Sequence, residues 1–246
     1  MDQFRILVKL KEQRKQIRDI NNYCKQHLRK QIPLISSLRN GNIAKYVNFN
    51  RMVIYMTKDE YRKYMKKLRK EFSREERNNS NQNIMTKLIE MQCIKDAEWL
   101  YPFVSYGTEA DTLNIIRYYL EGEGKGSKRI AVPKVHGEDM DFYEIKSMDD
   151  LEPGYMGIPE PIEKNPVKAS DGVMIMPGLV FDRELNRIGY GRGYYDRYLH
   201  QYGSNNLIKA AIAFDFQVLK EDKIISDSHD IKPDILITDK DIYYCS

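Results

Sequence analysis

The sequence predicts an α/β layer fold with a mostly parallel sheet flanked by helices. From about residue 58 onward, short apolar runs alternate with amphipathic stretches, and Gly, Pro or a capping pattern separates one from the next. Bulk composition agrees. With 41% hydrophobic and 31% charged residues, a chain of 246 residues can bury a sizeable core.

Residues 1–55 stand apart from this body. They hold 12 Lys/Arg and 3 Asp/Glu, a net of +9, so the remaining residues carry −5 within the overall +4. Leu7, Leu10, Ile17, Ile20 and Leu28 fit a helical face only loosely, and Pro33 interrupts it. The segment is expected to be a basic N-terminal extension, helical or disordered, with an arm that binds nucleic acid or a partner as the sharper alternative. A translation start at Met52 or Met56 is a third reading. The mildly acidic body, residues 56–246, argues against nucleic acid as the partner of the main domain, and a monomer is expected.

The elements follow in order. In "KDEYRKYMKKLRKEF", Tyr61, Met65, Leu68 and Phe72 are spaced four, three and four apart, the stripe of an amphipathic helix. "SREE", Ser73 to Glu76, has the spacing of a capping box and opens a second helix through Ile84, Leu88, Ile89 and Met91. "WLYPFVSY" predicts a strand, and "TEADTLNIIRYYLEGEG" a helix capped by Thr108 and stopped by glycine. "KRIAVPKV" and "MDFYEI" predict strands, and "DGVMIMPGLVF" a buried strand leaving into a loop. "GYYDRYLHQYG" predicts a helix ended by Gly203. "IKAAIAF", "DILIT" and "IYYC" complete the strands.

Cys24, Cys93 and Cys245 are odd in number and far apart, so neither a disulfide framework nor a structural zinc site is supported. A reducing cytoplasm is the expected compartment. No apolar run reaches ~18 residues and no apolar segment follows the basic start, so no membrane helix or secretory signal is expected.

Three groups of residues could carry chemistry. Gly189, Gly191 and Gly193 alternate with Tyr190 and Arg192, directly before a predicted helix. Glycines let backbone N–H groups converge on an anion, and a helix N-terminus adds positive potential. Arg187 and Arg192 could then bond phosphate oxygens, although a glycine-rich hairpin with exposed arginines fits the same residues. Lys58 and Arg62, at i and i+4, share a helix face that is either solvated or an anion clamp. Among the acids, Glu109 stands near a predicted helix start, as a ligand-binding or a capping carboxylate. Asp196 and Asp230 could supply oxygen ligands to magnesium beside a phosphate, and Asp230 could equally be a turn residue.

The stretch "MPGLVFDRELNRIGYGRGYYDRYL", Met176 to Leu199, resembles the signature of the 5-formyltetrahydrofolate cyclo-ligase (methenyltetrahydrofolate synthetase) family almost residue for residue. "KDEYR", "FVSYGTEADT", "AVPKVHGEDMDFYEI", "GIPEP" and "SHDIKPDILIT" stand around it in that family's order, over about residues 56–246. The resemblance implies a three-layer α/β fold related to phosphosugar isomerases and CoA transferases. It implies an ATP- and Mg²⁺-dependent ligase that converts 5-formyltetrahydrofolate, with or without a polyglutamate tail, to 5,10-methenyltetrahydrofolate, ADP and phosphate.

By position, Lys58 and Arg62 match the basic pair that contacts ATP. Arg187, Ile188, Gly189, Tyr190, Gly191, Arg192, Gly193, Tyr194 and Tyr195 match the ATP loop, of which Tyr190 to Tyr194 also border the folate. Val104, Glu109 and Met140 match folate-contacting positions, and Asp196 and Asp230 the magnesium carboxylates. Arg192 and Glu109 are the residues expected to act in catalysis. Two positions depart from the pattern: Met156 stands where some members have tryptophan, and Tyr190 where some have arginine. The alternatives are a non-catalytic folate- or nucleotide-binding protein working through its basic arm, and a sugar-phosphate isomerase, whose acid/base set does not stand out in this chain.

Overall fold

The computed structural model describes residues 56–154, 157–163 and 166–245; the basic segment 1–55 and Met156 lie outside the described residues. Helix α1 (Lys58–Glu71) starts at Thr57, whose hydroxyl accepts from the Glu60 amide while the Glu60 carboxylate accepts from the Thr57 amide. It buries Tyr61 and Met65 from the predicted stripe, and also Arg69. Ser73 and Glu76 close the same reciprocal box on α2 (Arg74–Glu90), which buries Ile84 and Leu88. Each box satisfies two amides that a helix start otherwise leaves open. A short α3 (Gln92–Asp96) follows, without a side-chain cap.

Strand β1 (Trp99–Pro102) is shorter than expected, and α4 (Leu113–Leu120) starts later than the Thr108 cap predicted. Thr112 accounts for both differences. Its hydroxyl donates to the Phe103 carbonyl at 2.5 Å and accepts from the Ser105 amide at 2.9 Å. The backbone after Pro102 is thus tied back to the start of α4 and not to a neighbouring strand. Glu109 therefore sits in a loop, where its carboxylate accepts from the Tyr106 amide at 2.8 Å.

The chain continues through the hairpin β2 (Arg129–His136) and β3 (Asp139–Ile145), the short β4 (Leu151–Pro153) and β5 (Pro159–Pro161), β6 (Pro166–Val167), and β7 (Gly172–Met176). A second hairpin, β8 (Val180–Asp182) and β9 (Arg187–Ile188), leads into the glycine loop. The buried Asp182 carboxylate clamps it, accepting from the amides of Glu184, Asn186 and Ile224 and from the Asn186 side chain. Helix α5 (Tyr194–Tyr202) runs between Gly193 and Gly203, as predicted. Then come β10 (Leu207–Ala213), β11 (Val218–Leu219), β12 (Ile235–Thr238) and β13 (Ile242–Tyr244).

Among the described residues the main sheet has eight strands in the order β13-β12-β10-β7-β1-β2-β3-β6. Its centre, from β12 to β2, is parallel, and the pairings at both edges are antiparallel. From β1 the chain crosses through α4 to β2, on one side. From β7 it crosses through α5 to β10, on the other side. Crossovers of one hand running in opposite directions place α4 and α5 on opposite faces of the sheet. Ring packing locates α5: Tyr101 of β1 meets Phe142 of β3 at 5.4 Å between centroids, and Phe142 meets Tyr198 of α5 at 5.1 Å. Leu100, alternating with Tyr101, faces the α4 side and is fully buried. The direction of winding reverses between β1 and β7. In such sheets, the carboxyl ends of the strands at a reversal open a crevice.

Candidate active site

A cavity of about 250 Å³ opens above that reversal, beside Pro177 at the end of β7. Its wall is the continuous stretch from Arg187 to Asp196, completed by Lys58 and Arg62 of α1 and by Asp230. Segments separated by well over a hundred residues thus converge on one crevice. Val104 and Met140 do not reach it: both are buried in the main core, at 6% and 5% exposure.

Backbone geometry explains the glycines at two positions. Gly191 (φ +96°) and Gly193 (φ +69°) lie in the left-handed region, where a Cβ is disfavoured. Gly193 is also the N-cap of α5 and contributes no side-chain cap, and the first residues of that helix, Tyr194, Tyr195 and Asp196, line the cavity. A carbonyl held at 2.9 Å by Arg62 Nε fixes Gly189 from the side of α1.

The four cations expected at phosphate differ in what they do, and Arg62 pairs through Nη1 with Asp59 at 2.5 Å while its Nε holds the Gly189 carbonyl. Arg192 is exposed, and its guanidinium has no partner among the described residues. Lys58 Nζ donates to Asp227 and Asp230, both at 2.7 Å. Arg187 lines the cavity and adds a bracing role that the sequence does not show. Its guanidinium is committed inward, to Asp196 at 2.6 Å, to the Pro177 carbonyl at 3.0 Å and to the Ile231 carbonyl at 3.4 Å. It braces the wall that it lines and holds Asp196.

Partial burial alone would lower the Lys58 pKa, but its hydrogen bonds to Asp227 and Asp230 outweigh burial and leave it raised. Burial would raise that of Asp230. Here the Lys58 hydrogen bond, the Asp227 amide and the charges of Lys58 and Arg187 prevail, and the carboxyl is held below its ordinary range. Both groups are therefore ionised at neutral pH. Asp196 and Asp230 offer carboxylate oxygens to the same cavity, and two carboxylates are what Mg²⁺ usually takes from a protein when phosphates and water supply the rest. Among the described residues no group of three or more His, Cys, Asp or Glu gathers to hold a metal alone.

Beside the cavity Glu109 joins a second network. The Tyr190 hydroxyl donates to one of its oxygens, and the Tyr106 amide donates to the other. Tyr190 is in turn held by Arg69 Nη1 at 2.6 Å, and Arg69 Nε donates to the Thr108 carbonyl at 3.0 Å. Burial and the Glu109 charge push the Tyr190 phenol pKa up, so the phenol is a donor to Glu109. Tyr190 thus replaces a possible phosphate contact with a tie between the glycine loop and the β1–α4 loop.

Arg69 and Asp227 were missed in the sequence. Arg69 lies seven residues after Arg62, on the same helix face, and that spacing is the signal that could have found it. Asp227 gives no such signal, because its contact with Lys58 spans 169 residues.

A family model described as the 5-formyltetrahydrofolate cyclo-ligase family matches residues 55–239. A probable 5-formyltetrahydrofolate cyclo-ligase of Schizosaccharomyces pombe is 32% identical over 128 residues, 46% of this chain and 63% of that protein. A mitochondrial 5-formyltetrahydrofolate cyclo-ligase of Arabidopsis thaliana is 28% identical over 184 residues, 66% of each. The chain therefore spans a little under two thirds of the length of these two relatives. The solution structure of a 5,10-methenyltetrahydrofolate synthetase from Aquifex aeolicus superposes with a TM-score of 0.68 at 30% identity, covering 77% of this chain and 93% of that one.

Proposed function

The chain belongs to the 5-formyltetrahydrofolate cyclo-ligase family, and on that premise we propose that it closes the ring of 5-formyltetrahydrofolate at the cavity over β1 and β7. ATP is the cosubstrate, and 5,10-methenyltetrahydrofolate, ADP and phosphate are the products. The observation that carries this reading is the meeting of cations, carboxylates and a helix start at one crevice. The unfilled N-terminus of α5, Arg192, Lys58 and the carboxylates Asp196 and Asp230 meet at one wall, with Glu109 beside it.

A formamide oxygen leaves poorly, so it is first converted to a phosphate ester, a transfer that proteins catalyse by positioning and charge neutralisation. Lys58, Arg192 and the loop amides are the donors for the polyphosphate. Lys58 would exchange its two carboxylates for phosphate oxygens. Asp196 and Asp230 would hold Mg²⁺, which would neutralise phosphate charge. Arg187 keeps Asp196 aimed into the cavity. Glu109, oriented by Tyr190, Arg69 and the Tyr106 amide, is the group for the folate's ring nitrogens. Tyr190 and Tyr194 border the folate, and Ile188 and Tyr195 belong to the ATP wall. Val104 and Met140 support the folate side from the core. The domain is residues 56–246, acting as a monomer in the cytoplasm, and among the described residues no helix is long and apolar enough to cross a membrane.

Purified protein with 5-formyltetrahydrofolate, ATP and Mg²⁺ is expected to develop the absorbance of the methenyl product. A folded sample that binds both ligands yet forms none would overturn the assignment. Turnover is expected to survive deletion of residues 1–55. Glu109→Ala is expected to raise KM for the folate well above its effect on KM for ATP.

A further inference from the structure

We propose that Arg197 is a positioning residue for the phosphate end of the reaction, holding the Arg192–Gly193 peptide in place for the nucleotide. The inference rests on the ligase reading above. Arg197 is the fourth residue of α5, is exposed, and is not among the residues that line the cavity. Its Nη1 donates to the Arg192 carbonyl at 2.9 Å. Its Nε donates to the Glu138 carbonyl at 3.1 Å, and its Nη2 to the same oxygen. One planar guanidinium therefore ties the glycine loop to the tip of the β2–β3 hairpin, 59 positions away from Arg197 in the chain.

The anchor belongs to the main sheet. β2 and β3 pair from Ile130 and Ile145 out to His136 and Asp139, so the turn at Gly137 and Glu138 is held at its base. Tyr194 adds a second tie: its hydroxyl donates to the Gly137 carbonyl at 3.2 Å, and its ring centroid lies 5.4 Å from the Arg197 guanidinium carbon. Gly193 makes room for the arrangement, since a Cβ there would stand 3.0 Å from Arg197 Nη1. At its other end the loop is held by Arg62, through the Gly189 carbonyl. Between those two points, among the described residues, no hydrogen bond other than that of Arg197 reaches the backbone of Gly191 or Arg192.

Such a loop is costly to hold still. Glycine at 189, 191 and 193 leaves the backbone much freedom to lose when a ligand orders it, and that loss weakens binding unless the protein has ordered the loop beforehand. Arg197 orders it at one defined peptide. In a planar trans peptide the carbonyl and the N–H point in opposite directions. With the Arg192 carbonyl turned to Arg197, the Gly193 N–H is turned the other way, and both Arg192 and Gly193 line the cavity. The same bond fixes where the Arg192 side chain begins. Arg197 works through these two donors and is not itself a phosphate ligand, because each of its three nitrogens is engaged with a carbonyl.

The test is calorimetric titration with Mg²⁺ and a non-hydrolysable ATP analogue, alongside steady-state turnover, for Arg197→Gln, Arg197→Lys, Arg192→Ala and the double variant of Arg192→Ala with Arg197→Gln. Arg197→Gln should weaken analogue binding and raise KM for ATP by about five- to tenfold, the size of one ordinary hydrogen bond. KM for the folate should stay within about twofold, and Tm within about 3 °C. Lysine keeps the charge but lacks the planar fork, so Arg197→Lys should resemble Arg197→Gln. The double variant should lose less than the product of the single losses, because Arg197 acts partly through Arg192. Analogue binding within about twofold of wild type in Arg197→Gln overturns the proposal, as does a large fall in its Tm with binding unchanged, the mark of a merely structural residue. Wild-type binding in Arg197→Lys, which would assign the effect to charge alone, overturns it too, and so do losses that multiply in full. Binding is read without the folate, so these results stand apart from the ligase reading, which a wild-type protein that binds the analogue yet forms no methenyl product would defeat.

Discussion

Replacement of Arg187 by Met removes the brace from the cavity wall while keeping a side chain of similar length. Arg187 is 6% exposed and Asp196 is 23% exposed at the side chain, so this is a largely buried pair. Removing one member of such a pair usually costs about 3–5 kcal/mol, because the other charge is left without compensation. Asp196 keeps the Ile231 amide at 3.0 Å and some access to water, which reduces the cost. The Pro177 and Ile231 carbonyls lose a donor, at roughly 1 kcal/mol or less apiece. A loss of about 2–4 kcal/mol follows, or roughly 5–15 °C in Tm for a domain of this size.

The assay is thermal unfolding by circular dichroism in chelator and without nucleotide, for Arg187→Met, Asp196→Asn and the double variant. The double variant should lose less than the sum of the singles, with a coupling of about 1–3 kcal/mol. A loss below about 1 kcal/mol, or single effects that add within about 0.5 kcal/mol, would refute the bracing role and return Arg187 to the phosphate donors.

Arg192→Ala should behave in the opposite way, since its guanidinium has no partner among the described residues: Tm within about 2 °C of wild type, and KM for ATP raised about tenfold or more. Equal KM values in steady-state assays would remove Arg192 from the phosphate site. Gly172→Ala, at the start of β7, drives a Cβ into the Trp99 carbonyl oxygen, a backbone atom, at φ +87°. A loss of at least about 2–3 kcal/mol in urea titration is expected, and a loss under about 1 kcal/mol would contradict the close approach of β1 and β7. Burial raises the Tyr119 phenol to about 12, above its ordinary 10.0, so the folded state favours the protonated form. The stability this contributes is whole below pH 10 and drains away as pH rises toward 12. Tyr119→Phe should soften that alkaline loss, and an identical pH profile of Tm would count against it.

Local signals were read correctly wherever the physics is local. Ser73 and Gly203 bound their helices as expected because capping depends on residues three or four positions apart. The glycine loop was legible for the same reason: glycine takes the left-handed backbone found at Gly191 and Gly193 more readily than any residue with a Cβ. What failed was decided by distant partners. Thr108 looked like a cap, but Thr112, bonded to Phe103 and Ser105, sets where α4 begins. The bracing role of Arg187 was not legible, because nothing nearby in the chain shows that the Ile231 and Pro177 carbonyls would bond to it. The tie from Arg69 through Tyr190 to Glu109 runs across 121 and then 81 positions, beyond any periodic pattern.

The role of α1 has a consequence for how the molecule comes into being. This helix reaches forward 127 residues to the Gly189 carbonyl and 172 to Asp230. Its helix-start box can close as soon as the segment is made, but the cleft needs nearly the whole domain. During synthesis at about 5–20 residues per second, α1 must wait on the order of ten seconds for Asp230. In that interval its buried face, Tyr61 and Met65, and the cationic row of Lys58, Arg62 and Arg69 are without their final neighbours. Binding competence should therefore appear late in refolding, after helix content has recovered.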